Sequence, residues 1–120
     1  DNWKRRWRIL TDKALSMIGL ATKAGKIASG EFSTEKMVKS HRAYLVIVAE
    51  DASENTKKMF RNMCAHYKVP FYYFSDKETL GHMIGREMRT SVAIIEEGFA
   101  RAVERQLNQG DNNGGNEHGE

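Results

Sequence analysis

Apolar residues recur at helical spacing in five stretches of the chain, with short apolar runs between them. Ala14, Met17, Ile18 and Ala21 follow i, i+3, i+4, i+7 spacing, the pattern of a helix with one buried face. Asp12 is a residue type that caps a helix start and Gly25 one that ends it, so the first helix is predicted between them. A short strand at Ile27 and Ala28 follows. Gly30 then opens a second helix, with Thr34, Met37 and Val38 on one face. Residues 44–49 are six apolar residues in a row, rich in β-branching, which predicts a central strand covered on both faces. Ser53 caps a third helix with a stripe of Phe60, Met63, Cys64 and Tyr67. Pro70 precedes a strand at 71–74. Ser75 or Asp76 caps a fourth helix through Leu80, Met83 and Ile84. Residues 92–95 read as the last strand, and Phe99, Ala102, Val103 and Leu107 as a final helix.

Helix and strand alternate throughout, which implies an α/β fold: a three-layer α-β-α sandwich with a four-stranded mixed sheet and helices on both faces. Strand order is not readable from the pattern. One domain is expected over 9–107, after a mobile basic segment at 1–8 and before a disordered polar tail at 108–120. That tail has four glycines and no apolar residue, too little to offset the entropy of ordering it.

Composition narrows the function classes. The 120 residues are 40% apolar and 29% charged, and no apolar run approaches the ~20 residues of a bilayer span. The first eight residues are basic with no apolar run behind them, so no secretory signal is expected. A lone cysteine, Cys64, cannot form an internal disulfide, which points to a reducing, cytoplasmic setting. The net charge is +3, and 108–120 brings acids but no Lys or Arg, so the body is more basic than the whole. Such a balance leans toward polyanions, nucleic acid before an anionic membrane surface.

Enzyme chemistry finds little footing. Cys64 lies on the apolar stripe of its helix and reads as core rather than as a nucleophile. His41, His66, His82 and His118 lack metal-ligand spacing, so neither metal nor cofactor is expected. Gly81 and Gly85 have the small-x-x-x-small spacing of a helix packed closely on a neighbour. Glu50 and Asp51 follow the central strand, where α/β proteins often bind ligands, but Glu50-Asp51-Ala52-Ser53 is also an ordinary loop into a helix cap.

Residues 23–42 say more. They hold five Lys or Arg, including Lys26, Lys36, Lys39 and Arg42, against two acids, Glu31 and Glu35. Gly30 stands at a helix start, where free N–H groups and the helix dipole favour a phosphate. Lys36 and Lys39 project from the same helix. The segment reads equally as a solvated basic face.

Several motifs in one order resemble a known family. They are Gly19-Leu-Ala-x-x-Ala-Gly-Lys26, Ser29-Gly30-Glu31 with Lys36, Ala43-Tyr-Leu-Val-Ile-Val-Ala-Glu-Asp51-Ala-Ser, Val69-Pro70, Leu80-Gly81-x-x-x-Gly85-Arg86, and Val92-Ala-Ile-Ile with Glu97-Gly98-Phe99-Ala100. Over about residues 9–107 the chain resembles the kink-turn-binding ribosomal proteins of the L-seven-Ae and L-thirty-e type, and most of all a small bacterial branch of them. The resemblance implies an α-β-α sandwich and binding to RNA bends built on tandem sheared G·A pairs. It implies that Gly30 lets the second helix enter the groove and that Lys36 contacts the guanines. Glu31, Phe32, Ser33, Lys26 and Lys39 would border that contact. Glu50 and Asp51, with Met88, Arg89, Thr90 and Ser91 of the loop before the last strand, would close around a flipped-out nucleotide. Phe32 and Ser33 replace the polar Asn-Glu pair of archaeal and eukaryotic members. Phe32 cannot hydrogen-bond a base edge, and Ser33 can bond it or cap the helix, so weaker or less selective kink-turn binding is expected.

Trp3-Lys4-Arg5-Arg6-Trp7-Arg8 lies outside the resemblance and reads as a base-stacking or membrane-surface segment, or as a basic terminus with no role. The leading expectation is a non-catalytic, monomeric, cytoplasmic protein whose partner is RNA, ribosomal or regulatory, with no membrane partner. The alternatives are a protein-interaction adaptor and a small-ligand domain using the crevice at Glu50 and Asp51.

Overall fold

The computed structural model describes residues 2–112, with side chains from 12 to 109. The elements are α1 (Asn2–Lys23), β1 (Ile27–Ser29), α2 (Glu31–Lys39), β2 (Leu45–Val48), α3 (Glu54–Tyr67), β3 (Phe71–Tyr73), α4 (Lys77–Met83), β4 (Ser91–Ile94) and α5 (Glu97–Asn112). The four strands form one sheet in the order β1-β4-β2-β3. β4 is antiparallel to both β1 and β2, and β2 is parallel to β3. The sheet is therefore mixed, as expected from the pattern.

Alternation along β2 divides the core in two. Leu45 and Ile47 join Val92 and Ile94 against Ile18 of α1, Leu80 of α4 and Val103 of α5. Val46 and Val48 join Ala93 against Val38 of α2, and Phe60 and Cys64 of α3. Strand side chains point alternately to opposite faces, so a fully apolar strand needs helices on both, and has them. α1 packs most extensively against α5.

Local residue choice sets the helix starts. Ser53 accepts a hydrogen bond from the Thr56 N–H, and Asp76 from the Thr79 N–H; each thereby satisfies one of the orphan donors of a first turn. Two expectations need correction. α1 begins at Asn2, so Asp12 is inside the helix and caps nothing; no Gly or Pro between them interrupts it. Gly81 and Gly85 do not make a helix–helix contact. α4 stops at Met83, and a Cβ on Gly81 would meet the Glu87 carbonyl oxygen of the following loop at 1.7 Å. The tail expected at 108–120 is helical through Asn112, and 113–120 lie outside the described residues.

Candidate nucleic-acid interface

The strand directions bring the ends of β1, β2 and β3 and the start of β4 to one edge of the sheet. Four loops meet there, and backbone hydrogen bonds stitch them together. Gly30 N–H donates to the Ser91 carbonyl and Ala49 N–H to that of Thr90, both at 2.9 Å, while Glu50 N–H donates to Ser75 at 2.8 Å. Arg89 N–H donates to the Lys77 carbonyl at 3.0 Å. Asp51 Oδ1 accepts from the Lys77 N–H at 2.9 Å, so its carboxylate helps hold the first turn of α4.

Arg89 ties two of these loops through its side chain. Its Nε donates to Ser29 Oγ at 3.2 Å and its Nη1 to the Met88 carbonyl at 2.8 Å. The guanidinium thus lies beside the end of β1, directly before Gly30. Met88 is 56% exposed next to it.

Gly30 is the N-cap of α2 with φ 92° and ψ 161°, and it offers no side-chain cap. That backbone conformation strongly favours glycine, and a Cβ there would stand in open space. Glycine is required by the bend, and it leaves the helix end uncovered. Glu31, Phe32 and Ser33 form the first turn. Ser33 follows the cap rather than being it. Thr34 and Val38 point into the core. The opposite side of α2 carries Phe32, Glu35, Lys36, Lys39 and Ser40, which line a shallow hollow of about 420 Å³. Lys39 Nζ pairs with Glu35 at 2.8 Å, and that carboxylate raises the lysine pKa, first by the hydrogen bond and then by its charge. Among the described residues Lys36 has no carboxylate at ion-pair distance.

Most of the expected site residues therefore share this edge or the outer face of α2: Gly30, Glu31, Phe32, Ser33, Lys36, Lys39, Glu50, Asp51, Met88, Arg89 and Thr90. Two do not. Ser91 is fully buried, its hydroxyl donating to Thr34 Oγ1 at 3.3 Å, because β4 starts one residue earlier than the pattern suggested and turns that side chain inward. Lys26 precedes β1 at its other end, where its carbonyl accepts from the Ile95 N–H. Four residues of extended chain put it about 13 Å from Gly30 at ~3.3 Å per residue. Ser29 and Thr34, which position Arg89 and Ser91, were named in the sequence only as part of a motif and of a helix face, not as site residues. Their partners lie 60 and 57 residues away, and only the sheet order brings them together.

The loop edge that carries Arg89 and the outer face of α2 that carries Lys36 and Lys39 lie together on an α-β-α sandwich. The chain belongs to the ribosomal protein L7Ae/L30e/S12e/Gadd45 family, whose pattern matches residues 12–104. Within that family its similarity lies with the bacterial YlxQ branch. It is 43% identical over 87 residues to the RNA-binding protein YlxQ of Bacillus subtilis (strain 168), spanning 72% of this chain and 87% of that one. It is 39% identical over 89 residues to the RNA-binding protein YlxQ of Enterococcus faecium, spanning 74% and 85%. Among solved structures, a protein with unknown function from Bacillus halodurans C superposes with a TM-score of 0.78 at 31% identity, covering 80% of this chain and 97% of that one. The Giardia lamblia 15.5kD RNA binding protein superposes with a TM-score of 0.71 at 20% identity, covering 85% and 88%, a likeness of fold.

Proposed function

We propose that the chain is a non-catalytic RNA-binding protein that uses the four-loop edge and the outer face of α2 to grip a kink-turn or similarly bent RNA, ribosomal or regulatory. The observation that carries this reading is the Arg89–Ser29 bond, which sets a cation beside the uncovered, glycine-led end of α2. A bent RNA presents phosphates close together and bases splayed from the stack. Cations and free N–H groups hold the phosphates, and polar or aromatic groups meet the bases. The names of the YlxQ relatives support RNA as the partner. Lys36 takes the central contact, one turn from the helix start, with Lys39 and Arg89 flanking it. Glu50 acts at the mouth of the edge, and Asp51 acts by positioning α4.

The test is titration of a kink-turn RNA at fixed salt, against a duplex lacking the G·A pairs. A charge-assisted hydrogen bond contributes roughly 1.5–3 kcal/mol, so Lys36→Ala lowers kink-turn affinity about ten- to a hundredfold. Arg105→Ala, exposed on α5 across the sheet, leaves it unchanged. Equal losses in the two variants, or equal binding of the two RNAs by the wild type, reduce the protein to a generic polyanion binder.

A further inference from the structure

Phe32 is the most exposed large apolar side chain among the described residues, at 78%. It stands in the first turn of α2, on the side away from Thr34 and Val38. Phe32, Lys36 and Lys39 are four and seven residues apart, so they share one helix face. Together with Glu35 and Ser40 they border the same shallow, open hollow. The ring thus stands on one helix face with Lys36, which has no carboxylate at ion-pair distance among the described residues, while Lys39 is paired with Glu35. Nothing within the fold explains a phenylalanine there, because it caps nothing and packs into neither buried cluster.

We propose that Phe32 is a stacking platform for one unpaired base of the bound RNA, with Lys36 holding the phosphate attached to that nucleotide. This rests on the RNA reading above and names what the first turn of α2 contributes to it. A flat ring beside an ammonium group matches a nucleotide: the base lies on the ring and the phosphate meets the charge. An apolar protein segment would match the ring but not Lys36. Stacking reads no base edge, because every base has a π face. The contact at this turn is therefore tolerant of base identity, and selectivity comes from the shape of the bend, not from a hydrogen-bond code.

The experiment uses the full chain and a kink-turn RNA carrying 2-aminopurine at each unpaired position in turn, titrated over a range of salt concentrations. One position shows fluorescence quenching with the wild type, and Phe32→Leu abolishes that quenching while Phe32→Tyr and Phe32→Trp keep it. Stacking on an aromatic ring is sensitive to alanine substitution at the level of roughly 1–3 kcal/mol per base, so Phe32→Ala lowers affinity by about five- to a hundredfold. The slope of log affinity against log salt stays as in the wild type, whereas Lys36→Ala reduces it by about one. Melting temperature does not change for any Phe32 variant, since the ring is exposed. Two results overturn the stacking role while leaving the RNA reading intact: Phe32→Leu quenching like the wild type, or Phe32→Ala binding like the wild type while Lys36→Ala is weakened. A third result overturns it in favour of self-association: Phe32→Ala keeps RNA affinity but converts a wild-type oligomer to monomer. If neither Phe32→Ala nor Lys36→Ala alters RNA binding, both readings fall together.

Discussion

Leu45 and Ile47 face one helical layer and Val46 and Val48 the other, and the two layers differ outside as well as inside. α1, α4 and α5 cover the larger buried cluster. Their described outer charges are Lys13, Lys23, Lys77, Arg101 and Arg105 against Asp12, Glu78, Glu97 and Glu104. α2 and α3 cover the smaller cluster. Their outer surface carries Lys36, Lys39, Lys57, Lys58 and Arg61 against Glu31, Glu35 and Glu54, and Phe32 stands out from it. Net charge therefore does little to separate the two layers; what separates them outside is the exposed Phe32 ring beside Lys36 on α2. One side of the sheet therefore carries the larger buried cluster, and the other combines a smaller one with an exposed aromatic ring and Lys36 on its outer face. The edge where the four loops meet is shared, so it is the place where damage to the first layer reaches the second.

The strongest way to break that division is Gly81→Ala. The added methyl would meet the Glu87 carbonyl at 1.7 Å and the Met88 Cα at 3.0 Å. Backbone cannot yield as a side-chain tip does, so the loop carrying Met88 and Arg89 must move. Overpacking of this kind costs about 3 kcal/mol or more. Urea denaturation should show that loss, and the folded fraction should also bind kink-turn RNA more weakly. A variant that is destabilised yet binds as the wild type would show that the loop before β4 is not part of the interface.

Cys64→Ser sharpens the comparison from inside the α2/α3 layer. The thiol is buried in the α2/α3 cluster, and burial pushes its pKa up to about 12, so it stays a neutral, unreactive thiol at physiological pH. A hydroxyl in its place loses its water without a partner, at about 1–3 kcal/mol. Denaturant titration should register that cost while the folded fraction keeps its RNA affinity. A thiol reagent should modify the wild type at the rate of global unfolding and no faster. Rapid modification of the folded protein, or loss of binding in folded Cys64→Ser, would place the thiol at the surface chemistry instead of in the core.

Much of this division is local and so was legible in the residues. The six-residue apolar run predicted a strand covered on both sides, Ser53 was read as one helix cap and Ser75 or Asp76 as another, of which Asp76 is the cap, and Cys64 fell on an apolar stripe. Gly30 read correctly as a helix start. The cause visible only in three dimensions is its φ of 92°. What was not legible depends on pairs distant in the chain. The order β1-β4-β2-β3 sets Ser29 beside Arg89 and sends Lys26 to the far end of β1, and no local pattern encodes either outcome. Ser91 misled because one residue of strand extension turns a side chain from solvent to core. Gly81 misled because the close neighbour is the backbone of its own loop, a contact that spacing within a helix cannot reveal. Asp12 misled because its residue type suits a cap, yet Lys and Arg before it are themselves good helix formers.

The smallest expected effect lies at Asp76, on the α1/α4/α5 layer and next to the shared edge. Its carboxylate accepts from the Thr79 N–H at 2.7 Å, and that bond is the main reason its pKa lies below the usual carboxylate value. A depressed folded-state pKa means that the ionised form is favoured by folding. The contribution is thus fully present above the unfolded pKa of about 3.9 and is lost as pH falls through the folded value. The group is exposed, so solvent and salt keep the electrostatic part small. Asp76→Ala should lower stability at neutral pH by about 0.5–2 kcal/mol, the range for losing an N-cap. Asp76→Asn should keep nearly all of it, since Asn caps about as well as Asp, and should show a shallower loss of stability below pH 4. Urea midpoints at pH 7 and pH 3 for the three proteins separate the cap from the charge. If Asp76→Asn loses stability with acid as steeply as the wild type, the acid sensitivity belongs to other carboxylates. RNA affinity at pH 7 should be the same in all three, because Asp76 holds the start of α4 while the Lys77 carbonyl that receives Arg89 is also fixed by Asp51 at the adjacent N–H. A measurable loss of RNA binding in Asp76→Ala alone would show that the cap, and not Asp51, sets the position of Arg89.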